Sequence, residues 1–201
     1  MKTNHKKVRR SADETREHVL DVAQRLFYWH GIRATGVDRV AAEAGVAPTA
    51  LYRLFPSKEV LVAAYIERTD QRYREWFQQA IRVDGRSPSR RIVALFEALE
   101  EQVEPDKCRG CPFLMALTEF PDAEVEGHRG AVRLKRWVRS RFRRLADDHA
   151  AERAPARVDP AALADHLMLL FEGVYATVPA LGAGGPAKRA QQLVAALLDE
   201  A

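Results

Sequence analysis

TGVDRVAAEAGVAPTALYRLFPSK, residues 35–58, decides the fold. Val37, Val40, Ala41 and Ala44 recur at i, i+3, i+4 and i+7, one apolar face of a helix about two turns long. Gly45 follows at once, a residue that accepts the positive φ with which helices end. Ala47, Leu51, Leu54 and Phe55 then mark a second stripe at helical spacing, with Pro48 in its first turn, where a missing N–H costs nothing. Two short helices about a glycine turn are the helix-turn-helix plan, whose second helix enters the major groove of DNA.

Working outward, Val19, Val22, Ala23, Leu26 and Phe27 give a helix over 13–30, closed by Gly31, that backs the other two. Thr35 stands where it can cap the second helix or bond a phosphate. Pro56-Ser57-Lys58 breaks the chain, and Ser57 is placed as N-cap of a long helix from Lys58 to about Ile81. Helical faces continue through Ile92–Val103, 113–120, about 128–154, Leu163–Val178 and Ala190–Leu198, and no alternating strand pattern occurs. The expectation is an all-α chain of about nine helices. Residues 1–12 would be a basic arm, 13–57 a three-helix DNA-binding domain, and 58–201 a helical ligand-binding and dimerisation domain.

Charge follows the same division. The chain has formal net charge +4. Residues 1–58 hold 11 Lys/Arg against 6 Asp/Glu, and residues 59–201 hold 21 against 22. The positive surplus lies with the helix-turn-helix, as phosphate binding requires. No apolar run approaches the ~18 residues of a membrane span and no signal peptide is visible, so a cytoplasmic protein away from the membrane is expected. Two cysteines are no disulfide scaffold.

With those residues in view, GIRATGVDRVAAEAGVAPTALYRLFPSKEVL (31–61) resembles the signature of the tetracycline-repressor (TetR) family of bacterial transcriptional regulators. The resemblance covers about residues 13–65. It implies a homodimer on a palindromic double-stranded operator, a C-terminal pocket for a small-molecule effector, and a dimer interface built by the last two helices, about 159–199. By position it places Pro48, Thr49 and Ala50 at base edges, and Tyr52, Lys58 and Thr35 at backbone phosphates. Gly36 departs from the common Ser/Thr at its place. Arg53 is the one bidentate base reader on the recognition helix, and Arg39 is a further candidate for phosphate or base.

The effector is less legible. Trp76, Phe96, Phe113, Trp137, Phe171, Tyr175 and Met115 are candidates to line an apolar pocket, with Glu119, His128, His166 and Glu172 as candidate polar groups inside it. At helical spacing the same residues also read as plain core. Cys108-Arg109-Gly110-Cys111-Pro112 has the C-x-x-C spacing of redox motifs and of half a zinc site. Cys111 is therefore a pocket candidate or a thiol sensor, with Lys107 and Arg109 expected to lower a neighbouring thiol's pKa. A metal or other cofactor is not expected. The leading reading is a repressor released by a small molecule, and a Cys108/Cys111 redox or electrophile sensor is the alternative. An all-α enzyme is the reading of another class; the chain shows no Ser/His/Asp order, H-E-x-x-H or phosphate-cradling Gly loop to support it.

Overall fold

The computed structural model describes residues 11–104, 106–153, 159–182 and 184–200. The expected basic arm falls outside them up to residue 10. Among the described residues there are nine α-helices, one 3-10 turn and no strand. The helices are α1 (Ala12–His30), α2 (Val37–Ala44), α3 (Pro48–Leu54), α4 (Lys58–Ala80), α5 (Pro88–Gln102), α6 (Pro112–Glu119), α7 (Glu126–Glu152), α8 (Pro160–Leu181) and α9 (Ala190–Glu200). The chain forms two compact units with the boundary between Tyr65 and Ile66, inside α4.

In the first unit α1 begins on a capping box. Ser11 Oγ accepts from the Glu14 N–H at 3.1 Å, and the Glu14 carboxylate accepts from the Ser11 N–H at 2.7 Å. Its buried face, Val19, Val22, Ala23, Leu26 and Phe27, meets Val40, Ala41 and Ala44 of α2, with Leu51 and Phe55 buried beside them. Phe27 stands edge-on to Tyr65 of α4, centroids 5.3 Å apart. Gly45 makes the turn at φ 64°, and the N–H groups of Gly45 and Val46 donate to the Ala42 and Ala41 carbonyls. A side chain there would adopt a left-handed backbone that costs about 1 kcal/mol outside glycine.

In the second unit α7 and α8 form the principal seam, with α5, α6 and α9 against them. Gly130 brings α7 onto α4: a Cβ there would lie 2.6 Å from Ile66 Cγ2, too close for any larger residue without displacement. α8 is apolar and long enough, by length and composition, for a membrane span. Two carboxylates inside it, Asp165 and Glu172, are instead committed to ion pairs with Arg139 and Lys135 of α7.

His149 of α7 is buried, and its Nδ1 lies 2.8 Å from the Ser89 hydroxyl of α5. Burial first, then the charge of Arg153, hold its pKa below the ordinary 6.5. The folded imidazole therefore takes a proton less readily than the unfolded one. The unfolded chain binds the extra proton as pH falls through about 6.5, so this group lowers stability below that pH and not above it. Replacement His149→Gln is expected to flatten the fall of melting temperature between pH 7 and pH 5; an identical slope in the variant would show that another group sets it.

Candidate functional site

The first unit presents a compact polar surface on and around α3. Pro48, Thr49, Tyr52 and Arg53 are exposed, Ala50 is half-buried, and Arg39 is exposed on α2. Arg39, Arg53, Tyr52 and Thr49 spend none of their side-chain donors on a hydrogen bond within the described residues. Thr49 does not cap α3, whose N-cap Ala47 offers no side chain for the purpose. Unspent guanidiniums and hydroxyls on a convex helix are what a groove reader needs. Lys58 opens α4 and donates from Nζ to the Arg33 carbonyl at 3.0 Å, which leaves two ammonium protons for an outside acceptor. Ser57 Oγ accepts from the Val60 N–H at 3.3 Å, the expected cap.

Thr35 has another task. Its side chain is fully buried and its hydroxyl donates to the Gly31 carbonyl at 2.8 Å, closing the turn after α1. It does not cap α2 either; Gly36 holds the N-cap place without a side-chain bond. A buried, spent hydroxyl cannot reach a phosphate, so the expected contact through this side chain is corrected.

In the second unit the aromatic candidates converge. Trp76, Phe96, Phe113, Trp137, Phe171 and Tyr175 join one network of ring contacts, completed by Tyr73, Phe77 and Phe142, with centroids 5.4–6.5 Å apart. Met115 and Glu119 are half-buried on α6. His166 is exposed on α8 and makes no ring contact with this network, because its position turns away from the face that carries Phe171. His128 Nδ1 bonds the Phe120 carbonyl at 2.8 Å.

Against these rings sits a polar cluster. Lys135 Nζ donates to both oxygens of Glu172, at 2.6 and 2.7 Å, and lies 3.2 Å from Cys111 Sγ. The two charged side chains are only 15% and 19% exposed, so the pair is largely desolvated and each partner depends on the other. Tyr175 donates to Gln102 Oε1 at 2.7 Å. The Tyr73 hydroxyl is buried beside the Tyr175 hydroxyl, towards which it points without making a well-formed hydrogen bond. Burial pushes both tyrosine pKa values well up, reinforced for Tyr73 by the neighbouring Tyr175 and for both by Cys111 and Glu172, so both stay protonated as donors. Lys135 escaped the sequence reading, since nothing in its spacing separates it from the arginines around it.

The cysteine expectation changes sign. Cys108 and Cys111 are both buried and free. Burial raises the Cys111 pKa, and the nearby cation that partly opposes this is Lys135, not Lys107 or Arg109. Lys107 is instead ion-paired with Glu104. No group of three or more metal-ligating side chains occurs among the described residues.

Known proteins carry the same two parts. Residues 19–65 match the tetR family of bacterial regulatory proteins, and residues 88–194 match the tetracyclin repressor-like C-terminal domain. The HTH-type transcriptional regulator YjdC of Escherichia coli is 27% identical over 158 residues, which span 79% of this chain and 80% of that one. A TetR-family transcriptional regulator from Streptomyces coelicolor superposes with a TM-score of 0.79 at 26% identity, over 93% of each chain. One from Streptomyces avermitilis does so at 0.74 and 32% identity, over 92% of this chain and 96% of its own. With an exposed reading helix in one unit, and family matches to both, the chain belongs to the tetR family and is a DNA-binding helix-turn-helix regulator of transcription.

Proposed function

We propose that the protein is a dimeric repressor that leaves a palindromic operator when a small molecule occupies its second unit. The observation that carries the effector half of this reading is the Tyr73 hydroxyl. The adjacent Tyr175 hydroxyl gives it no well-formed bond; a buried donor left so costs up to about 1–3 kcal/mol, and a better-placed ligand oxygen would recover it. Near it, the charges of Lys135 and Glu172 cancel, and its packed neighbours are aromatic rings. Those surroundings favour a neutral, flat compound with a carbonyl or phenol oxygen. The raised Cys111 pKa reduces the resting thiolate of that residue, so occupancy is preferred to Cys111 chemistry as the input.

Dimerisation is supported by α8. Ala162, His166, Leu169, Gly173, Ala176 and Ala180 follow each other at three- and four-residue steps, and all are exposed or half-exposed. Leu169 is 72% exposed, and Leu193 of α9 is 51% exposed. Small residues around isolated leucines are suited to close approach by a second helix pair. Operator release then follows by linkage, effector and DNA each weakening the other by one factor. The reading is tested by an electrophoretic shift of DNA from the chain's own upstream region, repeated with neutral aromatic carbonyl compounds such as 4-hydroxyacetophenone, salicylamide and flavone. A shift abolished by one of them supports it; a shift that no compound of this class alters overturns the effector half.

Tyr73→Phe separates a binding role from a packing role. Without an effector the variant is expected to melt at nearly the same temperature or higher, since the buried hydroxyl it removes makes no well-formed hydrogen bond. Affinity for a compound that releases DNA is expected to fall about tenfold, the worth of one hydrogen bond. A variant that melts lower and binds unchanged would make Tyr73 a packing residue.

A further inference from the structure

We propose that the α7–α8 seam carries a second binding site, for a small phosphate-bearing anion, apart from the aromatic cluster. Arg136, Arg139 and Arg143 fall at i, i+3 and i+7 of α7, which puts three guanidiniums on one face over about 10 Å. With Ser140 and with Ala161 and Ala164 of α8, they line a cleft of about 270 Å³. The two alanines keep the α8 wall low, so the space between the arginines and α8 is open.

Donors and acceptors in the cleft do not balance. Arg139 is satisfied by a two-pronged pair with Asp165, Nε–Oδ1 2.6 Å and Nη2–Oδ2 2.9 Å. Arg143 spends only Nε, on Asp147 Oδ1 at 2.9 Å. Arg136 bonds no carboxylate among the described residues. The Asp165 carboxyl is held below its usual range by the Arg139 bond, with His166 and Arg143 adding to it, so this acid is itself surrounded by cations. The N–H groups of Ala161 and Ala162 at the start of α8 are taken by Asp159, so any anion is held by side chains and not by the helix end.

The free donors are thus the whole fork of Arg136 and the outer nitrogens of Arg143, two turns apart on α7. A guanidinium fork matches pairs of phosphate oxygens. Two forks at this separation suit a ligand with two linked phosphoryl groups better than a single carboxylate. Such an anion also competes with Asp165 for Arg139, one of the ion pairs that fasten α7 to α8. This site does not rest on the effector reading above.

The test is isothermal titration of the full chain with sodium pyrophosphate in 50 mM salt, with sulfate and AMP in parallel. Saturable pyrophosphate binding is expected, weakened at least tenfold in the Arg136→Ala/Arg143→Ala double variant. Asp165→Asn, which frees Arg139, is expected to tighten it threefold or more. All three side chains are exposed or half-exposed, and circular dichroism of each variant checks that it is folded. If AMP binds better than pyrophosphate, the source is a nucleotide ester and the site stands. Equal binding of sulfate, or pyrophosphate binding that neither variant alters, overturns the proposal. So does an absence of small-anion binding with a loss of duplex affinity in the double variant, which would assign the arginines to DNA.

Discussion

Leu169→Glu is expected to leave the fold intact and to cut operator affinity by 10²–10⁴. The side chain is 72% exposed, so a carboxylate there meets water in the single chain and disturbs no packing. In the proposed dimer the same position lies in the α8 stripe, and each copy would bury an unpaired charge against the other. A helix-turn-helix unit of this size reads one half-site, and coupling two of them raises affinity by roughly 10²–10⁴ through effective concentration alone. The measurements are sedimentation, for monomer against dimer, and fluorescence anisotropy on full and half operators. The variant should sediment as a monomer and bind both DNAs alike. A variant that remains dimeric would place the interface elsewhere. One that turns monomeric yet keeps full operator affinity would remove dimerisation from the DNA-binding account.

The helices were readable from sequence because each buries one stripe, and a stripe at period 3.6 is a local pattern. Val37–Ala44 is the plainest case: expected from four apolar positions and a glycine, and observed over those eight residues. Ser11 and Glu14 carry a legible capping box that sets the start of α1 one residue earlier than its acidic residues suggest. Side-chain assignments failed wherever the deciding partner is remote or concealed in composition. Thr35 looks like a cap in sequence, but its acceptor is the Gly31 carbonyl at the other end of a turn. Lys135 is the single lysine among seven arginines on α7, and its partners lie 24 and 37 residues away. The Cys111 environment was misread because sequence shows which charges adjoin in the chain, whereas burial, the larger influence on that thiol, appears only in the fold. His166 illustrates the limit of stripe reading: α8 is apolar nearly all round, so its inward face was ambiguous until α7 was placed against it.

Phe171→Ala tests whether the aromatic cluster is a rigid core or a place built to open. Phe171 is fully buried and touches the rings of Trp76, Phe77, Phe96, Phe142 and Tyr175 at centroid distances of 5.5–6.4 Å. Truncating such a ring in a close-packed interior costs about 3–5 kcal/mol, the transfer loss plus the cavity left behind. For a chain of this size that corresponds to a melting shift of roughly 10 °C or more. The three tryptophans let the two units be followed separately: Trp29 lies in α1, while Trp76 and Trp137 belong to the cluster. Single-tryptophan versions should show the large shift in the Trp76 or Trp137 signal and a smaller one in the Trp29 signal, if the units unfold independently. Phe171→Leu, which keeps most of the volume, should cost less than half as much. A full-sized loss for Phe171→Ala marks the rings as core that a ligand must displace at a cost, and effector affinity is then weak. A loss below about 2 kcal/mol means that the neighbours fold into the space, and the same plasticity would let Tyr73 receive its acceptor without strain.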